Sequence, residues 1–497
     1  MKAAGAPERC APVRALRQCW RFRKRQAARC RERIIDHDPG EDQIPCVKWV
    51  LSLIALSATT ALVACGAPDS RVSPGAGGAG AAGTAGGAAG VGGIPPAPVA
   101  PGVFPLAGTD ADLPTSDLEV LRNAIGDRAV VGLGESVHTS AGYYRMKSRI
   151  VRYLVDEVGF RAIALETEWG LARVATDYVA NCKGTSRAAT KSFLSVFQDV
   201  ALQELLEWLC ARNKAHPEDP VVFWGFDTQQ PYADASALRD FFATGAPHAS
   251  NVVAGISACN GGSTSSQAEY TASGDGALYS SASYPEERHT NCLSALDALD
   301  AYLQSNEITL AGATSHEQWS LAKIASRSLR AWEGQAYAGT RRKDEAYAAR
   351  DAGMADVFLA LRELKFPAAR SVVWGHNTHL AIDQFKMVPA FVTAPMLGTH
   401  LAARLGSDWF PIAFAGYEVK INWPGYPTPP LPTGPAALEV MLHDLGVDYA
   451  FVPLQGPDSL FLAQNQRVTI TGREQLPAEH FRALIFLDES PAMTYVK

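Results

Sequence analysis

The sequence predicts an α/β fold: a central, mostly parallel sheet flanked by helices, with helical additions and a polar insertion. Two observations carry that expectation. Short runs rich in Val, Ile and Ala alternate with longer stretches of helical periodicity, the pattern of strands buried on both faces and joined by crossover helices. Four of these runs also end abruptly in acidic or histidine side chains. They are Ala129–Gly134 into Glu135-Ser136-Val137-His138, Arg161–Leu165 into Glu166-Thr167-Glu168, Val221–Phe226 into Asp227, and Ser371–Gly375 into His376-Asn377-Thr378-His379. An open parallel sheet keeps its ligand crevice beyond the carboxyl ends of its strands. One crevice would therefore gather Glu135, His138, Glu166, Asp227, His376 and His379 from positions up to about 240 residues apart.

The elements follow in order. Ser116–Ile125 reads as a helix with a serine N-cap, and strand Ala129–Leu133 follows it. Ser140–Val158 sets Tyr144, Ile150, Val151, Leu154 and Val158 on one helical face and stops at Gly159. Strand Arg161–Leu165 then completes a βαβ unit. A helical region including Leu202–Arg212 leads to strand Val221–Phe226 and helix Ala233–Phe242. Residues 245–290 are dominated by Ser, Gly, Asn and Thr with little periodicity, which reads as a surface insertion placed to act as a lid. Helices are expected at Cys292–Leu303 and His316–Leu364, the second broken near Gly334 and Gly339. Strands Ser371–Gly375, Pro411–Ala415, Tyr449–Pro453 and Leu484–Leu487 complete the pattern, interrupted by a Pro-rich loop, Trp423–Pro435. No internal repeat is present.

Length and composition bound the function. At 497 residues and 47% hydrophobic content the chain can bury a large core. A net charge of −6 gives no basic footprint, so nucleic acid is not an expected partner. After residue 70 no apolar stretch approaches the roughly 20 residues of a membrane span.

The amino-terminal part has a different character. Trp49–Val63 is apolar, follows Lys48 and closes on Leu62-Val63-Ala64-Cys65, the layout of an export signal. That ending resembles the lipobox of bacterial lipoproteins, which implies cleavage before Cys65 and lipid attachment to it. Residues 1–46, Arg-rich and aperiodic, fit badly in front of such a signal, and translation is expected to start at Val47. The expected organisation is a signal peptide at 47–65, a Gly/Ala/Pro-rich tether at 66–102 and a single folded domain at 103–497. Localisation would then be outside the cytoplasm, anchored by lipid to a bacterial membrane on its periplasmic or cell-surface side. Beyond Cys65 four cysteines remain. Sequence locality favours the pairs Cys182–Cys210 and Cys259–Cys292, and an oxidising compartment permits them.

Glu135 and His138 stand three apart directly after a strand, a spacing that lets the carboxylate orient the imidazole, and neutral histidine is the commonest general base. His376 and His379 repeat the spacing after another strand. Taken together with Gly159-Phe160, Ala164-Leu165-Glu166, Gly225-Phe226-Asp227, Arg350-Asp351-Ala352-Gly353-Met354-Ala355, Trp374–His379 and Leu397-Gly398-Thr399-His400-Leu401, these motifs resemble the erythromycin esterase family from about residue 105 onward. The resemblance implies hydrolysis of a lactone or linear ester, with a macrolide among the substrates and antibiotic resistance as the biological role. It implies His138 as general base, Glu135 and Glu166 as positioning carboxylates, and His376 and His379 as groups that bind the ester oxygen or protonate the leaving alkoxide. Lys147, Asp227, Glu168 and Asn377 would line the substrate, and His400 would lie behind the site. Lys147 stands where the family usually has arginine, which keeps the charge but loses the two-pronged geometry.

Three other readings stay open. Gly134-Glu135-Ser136-Val137-His138 approximates a nucleophile elbow around Ser136 but lacks its last glycine. No cofactor is required, yet the histidines and carboxylates could bind Zn²⁺ or Mn²⁺ as a metal-dependent hydrolase. The Gly-Glu-x-x-His pattern also resembles haem-binding lipoproteins, which would make the chain a capture protein rather than an enzyme.

Overall fold

The computed structural model describes residues 97–497 apart from 276–282, 340, 384–393, 433–436, 456–467, 471–472 and 476. The expected start at Val47, the signal, Cys65 and most of the tether lie outside the described residues.

The sheet contains β1 (Phe104–Pro105), β2 (Val130–Leu133), β3 (Phe160–Glu168), β4 (Val222–Asp227), β5 (Arg370–Trp374), β6 (Trp409–Val419), β7 (Tyr449–Pro453) and β10 (Ala483–Ser490). Between the last two lies a separate hairpin of β8 (Val468–Ile470) and β9 (Arg473–Gln475). The spatial order is β1-β7-β10-β6-β2-β5-β3-β4. All pairings from β10 to β4 are parallel, and only β7 and β1 add antiparallel pairs at one edge. Strand β2 is apolar throughout, and β5 is apolar from Val372 to Trp374, because both faces are covered. Val130, Ala164 and Val373 enter one core, while Val131, Leu165 and Val372 enter the other.

Flanking helices relevant to the site are α1 (Ala141–Asp156), α2 (Trp169–Asn181), α3 (Val200–Ala215), α4 (Pro231–Gly245), α5 (Glu286–Ser305), α6 (His316–Ala338) and α7 (Lys343–Lys365). Helix α1 starts after Ser140, as its sequence predicts, and α3 is capped by Asp199, whose carboxylate accepts from Ala201 N–H. The long helix expected over 316–364 is two helices. Gly334 lies inside α6 and lets it approach Ala349, whereas the break falls at Gly339, whose φ of 46° favours glycine.

The polar segment 245–290, expected as a surface insertion placed to act as a lid, is folded in its described residues. It contains the short helices Ser250–Ala254 and Gln267–Ser273, and both expected disulfides are formed, Cys259–Cys292 tying it to α5 and Cys182–Cys210 joining α2 to α3. Asn260 accepts from Tyr270 Oη–H and Trp332 Nε1–H, Arg288 pairs with Asp275, and Tyr284 donates to the buried Glu333 of α6. Ala246, Ala249, Val253 and Ile256 recur at helical spacing and enter the core, while polar bonds and the disulfide hold the rest of the described segment.

After β10 the chain runs back across the carboxyl end of the parallel strands as a strap. Ala141 N–H donates to Pro491 O, Met493 N–H to Thr139 O, Val200 N–H to Thr494 O and Val496 N–H to Gln198 O. The Oγ atoms of Ser140 and Ser490 lie 2.7 Å apart. The strap fixes the loop that follows His138 and the loop that precedes α3.

Candidate active site

Strand β2 is flanked by β5 and β6, while the next strand in sequence, β3, lies beyond β5. The chain thus changes sides at β2, and a doubly wound sheet opens its crevice at that point. Glu135 and His138 follow β2, and His376 to His379 follow β5. The two turns are locked together: a Cβ on Gly134 would stand 1.9 Å from Asn377 Oδ1, so only glycine admits this approach. Asn377 in turn donates to Phe414 O and accepts from Phe414 N–H.

The base end of the site is a three-residue chain. Glu135 is fully buried; its Oε1 lies 2.5 Å from His138 Nδ1, and its Oε2 accepts from Lys147 Nζ at 2.5 Å. Burial pushes the Glu135 pKa upward, but the Lys147 charge and the His138 bond outweigh it and bring the carboxyl down to about 2. Burial likewise lowers the Lys147 pKa, to about 8, against the restoring pull of Glu135. The Lys147 ammonium sits over the Trp374 ring at 4.7 Å and the Phe414 ring at 5.5 Å. An ionised Glu135 places the proton of neutral His138 on Nδ1 and leaves Nε2 as a lone-pair nitrogen. The His138 side chain is 18% exposed and is flanked by the rings of Phe197, His376 and Trp423.

Glu166 and Arg350 organise the far end. Glu166 Oε2 accepts from His376 N–H at 2.5 Å, and its Oε1 accepts from Arg350 Nη2–H at 3.2 Å. Arg350, on α7, also grips Asp227 in two-pronged fashion, Nε to Oδ1 at 3.0 Å and Nη2 to Oδ2 at 2.8 Å. Burial would raise the Asp227 pKa, but the guanidinium lowers it overall. His379 Nδ1 lies 2.6 Å from Asp351 Oδ1; its Nε2 lies 3.1 Å from Arg350 Nη1 and 3.4 Å from Glu166 Oε1. Burial opposes a charge on His379, yet Asp351 and then Glu166 overcome it and raise its pKa. A neutral His379 takes the Arg350 N–H, and a protonated one turns its second N–H toward Glu166.

His138, Glu135, Glu166, His376 and His379 thus form one connected cluster, with ring centroids of His138 and His376 5.0 Å apart. Several expected roles change. Lys147 and Asn377 are sealed from solvent, so neither lines the substrate: one supports Glu135 and the other staples β5 to β6. Asp227 is spent on Arg350. Glu168 pairs with Asp227 in the β3–β4 register and is also buried; burial, then the Asp227 charge, raises its pKa well above the carboxylate range. Both ring nitrogens of His376 are taken by the backbone, Nε2 by Ser136 O and Nδ1 by Thr378 N–H. Burial and the neighbouring His138 hold its pKa well below the ordinary value. It is a neutral wall beside His138, with no free nitrogen for an ester oxygen.

The roles of Arg350 and Asp351 were not legible as such, although both stand in the quoted motif. The signal was present in the helix: Ala346, Arg350, Met354, Val357 and Leu361 recur at helical spacing on the buried face of α7. A guanidinium on that stripe requires buried carboxylates.

Two competing readings meet their geometry here. Ser136 Oγ bonds Tyr143 Oη at 2.8 Å, and His376 reaches only its carbonyl, so no base faces the hydroxyl. For a metal, both Asp227 oxygens and Glu166 Oε1 are already bound by Arg350 and Glu166 Oε2 by His376 N–H, and a fixed cation there opposes a second one. Among the described residues, the one grouping with converging donor atoms is Cys259, Cys292 and Glu333, whose sulfurs are joined in a disulfide. The donor set does not fit a metal ion.

The fold and this cluster define an α/β protein with a histidine–carboxylate cluster rather than a nucleophile elbow. A sequence model of the erythromycin esterase family matches residues 155–490, and the chain belongs to that family. The match starts downstream of Glu135, His138 and Lys147. A putative hydrolase of Bacillus subtilis, YbfO, is 23% identical over 63% of this chain and 70% of its own length. Erythromycin esterase type II of Escherichia coli is 24% identical over 28% of this chain, which spans about a third of that enzyme (33%). Among solved structures, a Bacillus cereus protein superposes with a TM-score of 0.65 at 21% identity, covering 79% of this chain and 96% of its own. A mutant of the erythromycin esterase EreC in its open conformation gives 0.61 at 19% identity, covering 78% and 97%. At such identity these superpositions show the fold alone.

Proposed function

We propose that this protein hydrolyses a carboxylic ester, a lactone included, with water activated by His138. The observation that carries the reading is the chain Lys147–Glu135–His138, which fixes the proton on Nδ1 and, among the described residues, leaves Nε2 without a hydrogen bond on a side chain 18% exposed. In the reaction, water gives its proton to His138 Nε2 as its oxygen bonds the ester carbonyl carbon. The tetrahedral intermediate then collapses, breaking the carbon–alkoxide bond. His138 returns the proton from Nε2 to the leaving alkoxide, and His379, whose two nitrogens are held by Asp351 and by Arg350 and Glu166, keeps that network in place. His376 walls the base. No metal enters, because Arg350 holds the carboxylates that a metal would need.

Family membership supports macrolide lactones as the substrate class, and with them a resistance role. Two disulfides fit a protein outside the cytoplasm, in keeping with lipid attachment at Cys65 and a tether to the membrane. Among the described residues no helix is long and apolar enough to cross a membrane. The test is to incubate the purified domain, residues 97–497, and its His138→Ala variant with erythromycin and with simple esters. Mass spectrometry should show the gain of one water, at a rate at least about a hundredfold lower in the variant, with melting temperature preserved. Equal rates would remove His138 as base.

A further inference from the structure

The Pro-rich loop that the sequence singles out has no part in the mechanism above, yet it borders the base. We propose that Trp423 and Tyr426 form a platform that holds a ring-bearing, uncharged, non-reacting part of the substrate beside His138; this rests on the hydrolase reading.

The Trp423 ring stands 6.0 Å from the His138 ring, edge to face, and Tyr426 stacks on it at 4.1 Å with 21° between planes. Tyr426 is 58% exposed, and Leu431 on the same loop is 48% exposed. Large apolar side chains are costly to leave in water, and an exposed group of them beside a functional centre marks a binding surface. Residues 423–432 include five prolines and no charged residue, so the surface has nothing to neutralise an ionic ligand.

The platform is also pre-set. Asn422 N–H donates to Thr139 O, its side chain donates to Met493 O, and Tyr495 Oη–H donates to Asn422 O at 2.6 Å. Tyr426 N–H donates to Trp423 O and closes the turn. Further along, Pro429, Pro430 and Pro432 face Ser136 and Val137 across a narrow cleft. A loop ordered before binding loses little entropy when a ligand arrives. Thr139 is shared: the residue next to the base receives the anchor of the loop, so the platform and Nε2 are held in one frame. A flat ring laid on Tyr426 and Trp423 would bring an ester a few atoms away toward His138.

The test compares benzyl acetate with methyl acetate, following acid release by pH-stat, in the wild-type protein, Tyr426→Ala and Tyr426→Phe. The expected result is a roughly tenfold fall in the benzyl-to-methyl ratio of kcat/KM in Tyr426→Ala, carried by KM, and restoration of the ratio in Tyr426→Phe. An unchanged ratio in Tyr426→Ala overturns the platform. If the wild-type protein turns over neither ester, the hydrolase reading is what has failed. The platform is then decided by binding of N-benzylacetamide, read as quenching of tryptophan fluorescence that Trp423→Phe abolishes. About tenfold weaker binding in Tyr426→Ala sustains it, and equal binding or no quenching in the wild type rejects it.

Discussion

Replacing Lys147 with methionine tests the base end of the site most directly, because the expected effects differ between stability and catalysis. The Glu135 carboxyl is lowered from 4.5 to about 2. A carboxyl depressed in the folded state stabilises above its unfolded pKa and loses that contribution as pH falls through the folded value. At 1.36 kcal/mol per pKa unit this is about 3 kcal/mol, present above pH 4.5 and gone near pH 2. Lys147 is lowered from 10.5 to about 8. A depressed lysine binds more protons unfolded than folded, so it costs about 3 kcal/mol below pH 8, and the cost fades as pH rises toward 10.5. The two contributions nearly cancel at pH 7, as expected of a buried ion pair. Removing Lys147 removes its cost but leaves burial free to raise the Glu135 pKa. Glu135 then takes up a proton toward neutral pH, and the proton on His138 is no longer fixed on Nδ1. We expect Lys147→Met to lose roughly 3 kcal/mol or less in urea unfolding at pH 7, while kcat/KM falls about a hundredfold. The acid limb of its pH–rate profile should move upward by one unit or more. A profile with unchanged position and height would show that the Lys147–Glu135 pair does not act on His138.

Asp351→Asn removes the carboxylate that most raises the His379 pKa; His379 should lose its proton at lower pH, which NMR titration of its ring protons would read, and an unmoved titration would show that Asp351 does not hold its charge. Arg350→Met leaves Asp227 and Glu166 buried without their cation, a loss of about 3–5 kcal/mol that denaturant unfolding would read. Ser136→Ala should keep ester turnover within about threefold, since Ser136 Oγ bonds only Tyr143; near-total loss would revive a serine nucleophile.

Much of this architecture could be read from residue order. The runs at 130–133, 222–227 and 370–374 were visible because strands buried on both faces need continuous apolar sequence. Glu135, His138, Glu166, His376 and His379 were visible because nothing about folding asks a strand to end on them. Partners made by tertiary packing were not visible. Lys147 is the clearest case: the resemblance left it either to orient substrate or to pair with a carboxylate, and its position on α1 directs it under Glu135, into a cage of Trp374 and Phe414. Arg350 was hidden inside a helix that otherwise reads as packing. The segment 245–290 read as a surface insertion because its disulfide and polar networks leave no periodic trace.

The carboxyl-terminal strap gives the centre a particular history. Ser140 and Ser490 meet across 350 positions, so closing the segment beside His138 brings together two stretches made far apart in time. Such long-range closures form late, because loop entropy must be overcome first. A nascent chain would therefore carry every side chain of the cluster and still lack its geometry, and the activity proposed above would arrive only once the whole fold had closed.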